Sequence, residues 1–349
     1  MRPIAIGQRI VGPDHPCFVI AEAGVNHNGD LELARRLVDV AAEAGADAVK
    51  FQTFRADRLV SPTAPKAAYQ RQTTGAGESQ LDMLRRLELS PAAHRELNDY
   101  CRQRGLIFLS TPFDEESADL LDELDVLAFK IGSGEVTNHP FLEYVARKGK
   151  PIILSTGMSY LSEVDEAVRL LCDAGCEQLI LLHCVSSYPA APADANLRAM
   201  QTMAVAFDLP VGYSDHTPGI EVALAAVALG ACVLEKHFTL DRNLPGPDHR
   251  ASLQPDELRA LIAGVRVVER ALGDGVKHPA PAEADTRAVA RRSLVARVEI
   301  PAGATVEAGM LTALRPADGI PPSLIRRIIG RRTRHPLAAG QFIDWSDLE

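Results

Sequence analysis

The stretch 233–250, VLEKHFTLDRNLPGPDHR, places ionisable side chains where an apolar strand pattern ends. Glu235, Lys236 and His237 close that pattern, and His216 closes the strand pattern before it. Two imidazoles, combined with carboxylate and water oxygens, suit a divalent metal such as Mn²⁺. Histidines at a rim also occur simply as hydrogen-bonded side chains, so the spacing leaves both interpretations open.

Two lysines end other apolar runs, Lys50 in AVKF and Lys130 in AFKI. Because a buried lysine is costly without an anion, three interpretations follow. The lysines could pair with Glu22 or Glu135, could hold a carboxylate or phosphate group together with hydroxyls, or could include a Schiff-base lysine as in class I aldolases. The available hydroxyls end other strand patterns, at Ser133, Ser155, Ser186 and Ser214.

Three other polar residues also have ordinary structural explanations. Glu22 ends the first strand pattern, where it could act as a general base, position water or anchor a lysine. Asp248 lies in the turn sequence PGPD, where most aspartates stabilise the turn. Arg315 lies in LRPADGIPP, and an arginine in such a sequence is normally an exposed surface residue.

Parallel strands would have to position these residues. From residue 17 to about 272, short β-rich runs alternate with helical patterns, which is typical of an α/β domain with a parallel sheet. Eight such units predict a (β/α)8 TIM barrel, and no GxGxxG follows a strand as in a doubly wound sheet. Barrel active sites form at the carboxyl ends of the strands. The strand candidates are 17–24, 47–52, 106–111, 126–132, 151–157, 178–184, 210–216 and 232–238.

The remaining segments complete a two-domain organisation. Residues 3–12 predict a hairpin that closes the barrel's bottom, so the catalytic domain spans 1–272. Residues 53–90 form a βα segment long enough to indicate a functional loop. A Pro/Ala-rich linker at 273–287 leads to a small β-rich domain at 288–349.

The C-terminal segment contains a weak internal repeat. RVEIPAGATVEAGML (297–311) aligns with RHPLAAGQFIDWSDL (334–348), so that Ile300 matches Leu337. This pattern predicts a compact domain with a small core. We expect such a domain to lean on the barrel or on a partner chain.

Composition excludes several classes of protein. The chain is 46% hydrophobic and 24% charged, as in soluble globular proteins. No apolar run approaches the roughly 20 residues of a membrane span, and the first residues do not resemble a signal peptide, so we expect a cytoplasmic protein without membrane partners. A formal charge of −9 and the absence of a Lys/Arg block argue against nucleic-acid binding. The six scattered cysteines indicate reduced, mostly buried thiols.

Taken in order, the strand-end motifs resemble those of the sialic acid synthase family, also called nonulosonate synthases. The C-terminal segment resembles the family's antifreeze-like (SAF) domain through RRSLVA (291–296) and RPADGI (315–320). The barrel motifs that carry the resemblance are AEAGVNHNG (21–29), VKFQTF (49–54), STPFD (110–114), FKIGSGE (129–135), ILSTGM (153–158), SSYP (186–189), GYSDHT (212–217), EKHFTLD (235–241) and GPDHRAS (246–252).

The resemblance implies condensation of phosphoenolpyruvate with an open-chain N-acyl hexosamine and water, giving a nonulosonic acid and phosphate. It also implies a homodimer in which the SAF domain is swapped onto the partner's active site. By the same resemblance, Glu22 would place or deprotonate the water, and the metal would act as a Lewis acid on the sugar aldehyde. Residue by residue, His216 and His237 would bind Mn²⁺ or Mg²⁺; Lys50, Thr111, Lys130, Ser133, Ser155, Ser186 and Ser214 would hold phosphoenolpyruvate; and Gln52, Tyr188, Asp248 and Arg315 would contact the sugar.

The resemblance also leads to an expectation about which sugar is the substrate. We expect N-acetylmannosamine, which would make the protein an N-acetylneuraminate synthase. The alternative is 2,4-diacetamido-2,4,6-trideoxymannose, the sugar of N,N'-diacetyllegionaminate synthases, because the loop APKAAYQRQTTGAGESQL resembles a version found in both groups. Ser186 stands where relatives often have Asn or Thr, and Gly132 where some have proline.

Two other classes of protein are alternatives to this interpretation. A Schiff-base aldolase would use Lys50 or Lys130 covalently but would leave His216 and His237 without a role. A non-catalytic carbohydrate- or ice-binding protein would use the C-terminal repeat and would leave the polar strand ends unexplained.

Overall fold

The described part of the chain divides into two compact units, Met1–Gly273 and Asp274–Glu349. The coordinates are a computed structural model that describes residues 1–75 and 77–349. Residue 76, in the long loop predicted at 53–90, lies outside the described residues. Each unit has an apolar core of its own.

Eight parallel strands of the first unit form one sheet within the described residues. The neighbours run in the order β5-β4-β3-β10-β9-β8-β7-β6, and the end strands β5 and β6 lie side by side, so the sheet curves into a nearly closed barrel. This confirms the predicted fold. The strands are β1 Ile4–Ile6, β2 Arg9–Val11, β3 Phe18–Gly24, β4 Ala48–Thr53, β5 Ile107–Pro112, β6 Phe129–Ile131, β7 Ile152–Ser155, β8 Leu179–Cys184, β9 Val211–Asp215, β10 Val233–His237, β11 Ser293–Ala296 and β12 Leu311–Leu314.

Helices follow the barrel strands, and the longer ones bury one apolar face each. In the first helix, the Asp30 side chain accepts from the backbone of Glu32 and Leu33, and Gly45 ends the helix at φ 83°, a left-handed conformation that glycine adopts without strain. The helices are α1 Leu31–Ala44, α2 Ala56–Leu59, α3 Ala68–Thr74, α4 Gln80–Arg85, α5 Pro91–Gln103, α6 Glu115–Glu123, α7 His139–Ala146, α8 Leu161–Asp173, α9 Arg198–Phe207, α10 Glu221–Ala228, α11 Pro255–Leu272, α12 Ala284–Ala290 and α13 Ile325–Ile328.

The lower interior of the barrel is apolar. Side chains such as Ile20, Ile153 and Val233 form its core, and Ile6 and Val11 of the β1–β2 hairpin pack against them. Each fully buried aliphatic side chain contributes about 1.5–3 kcal/mol relative to exposure. The hairpin therefore closes the bottom of the barrel, as predicted.

The second unit is built around its internal repeat. Strands β11 and β12 pair antiparallel, and Ile300 and Leu337 exchange backbone hydrogen bonds of 2.9 and 2.8 Å. Val306 and Ile343, which also match in the repeat, are both fully buried. The two halves of the repeat thus share one small core.

The sequence also led to expectations about membrane spans and about the cysteines. Among the described residues, no helix combines the length and apolar character needed to cross a membrane. The six cysteines are free thiols, and Cys172 is the exposed member of an otherwise buried set.

Candidate active site

A cavity of about 480 Å³ opens at the carboxyl ends of the barrel strands. A larger cavity, of about 700 Å³, lies at the opposite ends near Cys17 and Cys232; among the described residues, none of the predicted site residues lines it. Since barrel chemistry is placed at the carboxyl ends, the smaller cavity is the candidate site. The predicted residues that line it are Glu22, Lys50, Gln52, Thr111, Lys130, Ser133, Ser155, Ser186, Tyr188, Ser214, His216 and His237.

The two-residue alternation of a strand selects which polar side chains reach this cavity. On β10, Glu235 and His237 line the cavity, whereas Lys236 between them points to the other face of the sheet. There the Lys236 Nζ donates a 2.6 Å hydrogen bond to Asp215 Oδ2. Lys236 and Asp215 therefore form a buried structural ion pair.

Two lysines and two glutamates form the centre of the site, which we call the lysine–glutamate cluster: Glu22, Lys50, Lys130 and Glu235. Lys50 Nζ lies 2.8 Å from Glu22 Oε2 and 3.8 Å from Glu235 Oε2. Lys130 Nζ lies 3.6 Å from Glu235 Oε1. All four side chains are at most 6% exposed, so each charge depends on its opposite neighbours.

The two glutamates of the cluster differ in their pKa. Burial raises the pKa of Glu22 to about 7, although the ammonium group of Lys50 opposes that shift. Burial also disfavours the charged form of Glu235, but Lys130 and Lys50 outweigh it and lower the Glu235 pKa. Glu22 can therefore exchange a proton near neutral pH, while Glu235 remains a carboxylate.

Hydroxyl groups surround the lysines. Lys50 donates a 3.0 Å hydrogen bond to Thr111 Oγ1, and Lys130 donates a 2.7 Å bond to Ser155 Oγ. Ser214 Oγ donates to Glu235 at 2.9 Å. Ammonium groups flanked by hydroxyls form a preorganised site for a carboxylate or phosphate.

Gly157 allows two more hydroxyls to approach this site. Its backbone N–H donates to Ser133 Oγ at 2.9 Å. A Cβ at position 157 would clash with Ser186 Oγ and would lie 3.2 Å from Cys184 Sγ. The absent side chain therefore lets Ser133, Ser186 and Cys184 converge at the cavity wall.

The rings of His216 and His237 lie 5.4 Å apart between centroids. His216 Nδ1 is 2.8 Å from the carbonyl of Val185, so a proton on Nδ1 leaves Nε2 as an acceptor. His237 Nδ1 is buried and lacks a hydrogen-bond partner among the described residues. Burial and the neighbouring His216 hold the pKa of His237 well below its usual range, so its imidazole is neutral.

These two histidines fit a divalent metal in their donor chemistry. A neutral imidazole is the form that binds metals, and a ring oriented through its other nitrogen is typical of metal ligands. Within the described ranges, no cluster of three or more His, Cys, Asp or Glu side chains has the arrangement of a metal site.

An aromatic wall extends from the histidines, made by Tyr188 and Tyr69. The Tyr188 ring lies 4.3 Å from the His216 ring, and the Tyr69 ring lies 5.2 Å from the Tyr188 ring, between centroids. Tyr69 comes from the long loop predicted at 53–90, and its role was not predicted because a strand pattern gives no signal for loop positions. Glu235 was missed as a site residue although the alternation from His237 could have identified it.

Asp248 and Arg315 are the predicted sugar contacts that do not line the cavity. Asp248 is 8% exposed, and burial raises the pKa of its carboxyl to about 6. Tyr69, which lines the cavity, opposes that rise in pKa. Arg315 is an exposed residue of the second unit, directly after β12.

Two protein families match the chain. Residues 37–277 match the NeuB family, and residues 291–349 match the SAF domain. The first match covers most of the barrel unit, and the second covers the whole segment that follows α12.

The chain is also similar to named proteins and to solved structures. The chain is 51% identical over 316 residues to the N,N'-diacetyllegionaminic acid synthase of Campylobacter jejuni, covering 90% of this chain and 95% of that protein. It is 49% identical over 342 residues to the enzyme of the same name from Legionella pneumophila, covering 97% and 96%. A crystal structure of N-acetylneuraminic acid synthetase from Leptospira borgpetersenii, in complex with citrate, is 37% identical with a TM-score of 0.72, over 82% of this chain and 95% of that one.

The mutual dependence of the buried charges predicts energetic coupling between Glu22 and Lys50. Breaking a buried ion pair from one side costs about 3–5 kcal/mol, so Glu22→Gln and Lys50→Met should each lower the free energy of unfolding substantially. The double variant should lose less than the sum of the two, with a coupling of about 1 kcal/mol or more, measured by urea unfolding.

The exposed pair Glu143 and Arg147, 3.2 Å apart, provides the matched control for this cycle. Its coupling should stay below about 0.5 kcal/mol because solvent screens both groups. A coupling between Glu22 and Lys50 no larger than that of the control pair would contradict the interdependence of the cluster.

Proposed function

Because the chain belongs to the NeuB family and ends in a SAF domain, we propose that it makes N,N'-diacetyllegionaminic acid from phosphoenolpyruvate and 2,4-diacetamido-2,4,6-trideoxymannose. The family consists of nonulosonic acid synthases, which are transferases that form a carbon–carbon bond with phosphoenolpyruvate. The sequence alone favoured N-acetylmannosamine as the sugar. The higher identity to the two diacetyllegionaminic acid synthases than to the N-acetylneuraminic acid synthetase supports the alternative sugar instead.

The observation that carries the proposed reaction is the lysine–glutamate cluster with its hydroxyls. Lys50 and Lys130 would bind the phosphate and carboxylate of phosphoenolpyruvate as charge-assisted partners. Five hydroxyl residues would complete this anion site: Thr111, Ser133, Ser155, Ser186 and Ser214. Fixed donors in a buried cavity stabilise developing negative charge more strongly than water does.

The carboxylates of the cluster have a role in the chemical step. The methylene carbon of phosphoenolpyruvate attacks the sugar aldehyde, and the carbon that bears the phosphate becomes electron-poor. Glu22, with its pKa of about 7, would take a proton from the water that adds to that carbon. The resulting tetrahedral adduct expels phosphate and leaves the 2-keto acid.

His216 and His237 would hold the divalent metal, Mn²⁺ or Mg²⁺. The unpartnered His237 Nδ1 and the orientation of His216 by the Val185 carbonyl are the structural features that support this assignment. When bound, the metal supplies a Lewis acid beside the sugar aldehyde. Substrate and water oxygens would complete its coordination.

Four residues are proposed as sugar contacts. Gln52 and Tyr188 line the cavity, and the buried Asp248 is close to Tyr69, which also lines it. Arg315 would come from the partner subunit of a domain-swapped homodimer, a role that rests on the resemblance of RPADGI to the family motif.

The choice of sugar predicts the outcome of a phosphate-release assay. With phosphoenolpyruvate and Mn²⁺, kcat/KM should be at least about tenfold higher for 2,4-diacetamido-2,4,6-trideoxymannose than for N-acetylmannosamine. A preference for N-acetylmannosamine would overturn the sugar assignment. Absence of phosphate release with either sugar would overturn the synthase itself.

The metal assignment predicts a change in bound metal. His216→Gln and His237→Gln should each reduce Mn²⁺ binding by at least about tenfold, measured by electron paramagnetic resonance of free Mn²⁺ during titration. His15→Gln, at an exposed position of the same unit, should bind as the wild type does. Unchanged Mn²⁺ affinity in both site variants would exclude these histidines as ligands.

The proposed swap predicts complementation between two inactive variants. Arg315→Ala should raise KM for the sugar more than KM for phosphoenolpyruvate, and Glu22→Gln should lower kcat. Mixed dimers of the two variants contain one site with both intact residues, so mixing should restore up to about half of the wild-type activity per such dimer. Failure of mixed dimers to regain activity would argue against an arginine supplied by the partner.

A further inference from the structure

The cavity has two chemically different halves. One half contains the lysine–glutamate cluster and the hydroxyls proposed to hold phosphoenolpyruvate. The other half is amphipathic, with the rings of Tyr69 and Tyr188 and the methyl groups of Ala67 and Ala68 in its wall. Since the anion site occupies the first half, the second half is the space that remains for the sugar.

The long loop after β4 builds the outer end of this second half. Ala67, Ala68 and Tyr69 line the cavity although no barrel strand carries them. Near the far end of helix α3, the Thr73 hydroxyl can donate to the carbonyl of Tyr69 at 3.1 Å or to the carbonyl of Pro247 at 3.3 Å. The second of these bonds holds the helix in place. This bond ties the loop to the PGPD turn that contains Asp248, 174 residues away in sequence.

Lys66 fixes the two ends of α3 to each other. Its buried Nζ donates to Thr74 Oγ1 at 2.9 Å and to the carbonyl of Gly75 at 3.1 Å. It also lies 3.1 Å from a carboxyl oxygen of Glu78. Tyr69, which lies between these anchored ends, therefore has a defined position in the wall.

The Tyr69 side chain presents both an apolar and a polar surface to the cavity. Its ring lies against Tyr188 at 5.2 Å, tilted by 30°, and Tyr188 lies against the metal-site histidines. Its hydroxyl oxygen accepts a 3.4 Å hydrogen bond from Gln70 Nε2. Because Gln70 donates to the oxygen, the hydroxyl proton is the group that Tyr69 can offer to a ligand.

We infer that Tyr69 is a specificity-determining residue that receives the distal part of the sugar, its 4-acetamido group and 6-methyl group. The inference rests on the proposed function, because it takes the diacetamido sugar as the substrate. With the aldehyde beside His216 and His237, the distal carbons extend along Tyr188 to Tyr69.

The two candidate sugars differ at this distal end. N-acetylmannosamine has hydroxyl groups at carbons 4 and 6, whereas the diacetamido sugar has an acetamido group and a methyl group. The acetamido carbonyl would accept a hydrogen bond from the Tyr69 hydroxyl, and both methyl groups match the aromatic faces and the side chains of Ala67 and Ala68. A site built to hydrogen-bond a substrate group discriminates against the analogue that lacks it.

Steady-state kinetics of Tyr69→Phe with both sugars tests this inference. The variant keeps the ring and removes the hydroxyl, so KM for the diacetamido sugar should rise by about tenfold. KM for phosphoenolpyruvate and KM for N-acetylmannosamine should each change by less than about threefold. If N-acetylmannosamine is not turned over, its competitive inhibition constant replaces KM.

Two further variants sharpen the test. Tyr160→Phe, at an 81% exposed tyrosine that does not line the cavity, should leave every constant unchanged. Ala68→Leu adds bulk to the same wall at an exposed position, where it should not disturb folding. It should lower kcat/KM for the diacetamido sugar by at least about tenfold more than for N-acetylmannosamine.

The outcomes separate this inference from the proposed function. If wild-type protein turns over the diacetamido sugar but Tyr69→Phe changes both sugars by the same factor, the role of Tyr69 is overturned and the function stands. If wild-type protein does not turn over the diacetamido sugar, both are overturned. A selective loss with the diacetamido sugar in Tyr69→Phe and Ala68→Leu supports the inference.

Discussion

The pairing of two buried lysines with two buried glutamates constrains the whole upper half of the barrel. Neither Lys50 nor Lys130 could remain charged in this apolar surrounding without Glu22 and Glu235 within 2.8–3.8 Å. When all four groups are ionised, their formal charges cancel. Binding of an anionic substrate is then favoured by a proton on Glu22, whose pKa is about 7, or by a further cation. The proposed metal beside His216 and His237 supplies that further cation.

The apolar lower half of the barrel gives the cluster its environment. The β1–β2 hairpin closes the bottom with Ile6 and Val11, so the cluster opens to solvent only toward the cavity. Burial on this scale raises the pKa of Glu22 to about 7, which is the property that suits it to proton transfer at neutral pH. The hairpin therefore supports the chemistry although it contains no residue of the site.

The sequence predicted the features that depend on local periodicity. The eight strands and the closing hairpin follow from alternation, which is visible in the chain itself. The repeat aligned Ile300 with Leu337, and the structure shows in addition that these two residues form an antiparallel bridge. The same alternation would have turned Lys236 away from the cavity. Tyr69 was not predicted, because the position of a loop residue depends on contacts with distant segments, here the turn before Asp248.

The identity of the sugar lay beyond the sequence pattern for the same physical reason. In the proposed function, the strand ends would bind the part of the substrate that all nonulosonate synthases share, whereas loop residues would contact the part in which the sugars differ. Similarity to named synthases therefore supports the proposal of one of two sugars that the strand-end motifs could not distinguish.

Isothermal titration calorimetry with phosphoenolpyruvate alone tests the central claim, that the lysine–glutamate cluster is the anion site. Lys130→Gln removes an inward lysine, and the double variant Lys236→Met/Asp215→Asn removes an equally buried ion pair on the other face of the sheet. The cluster predicts a loss of at least about tenfold in affinity for Lys130→Gln and less than about threefold for the double variant. Equal losses, or unchanged affinity in Lys130→Gln, would contradict it.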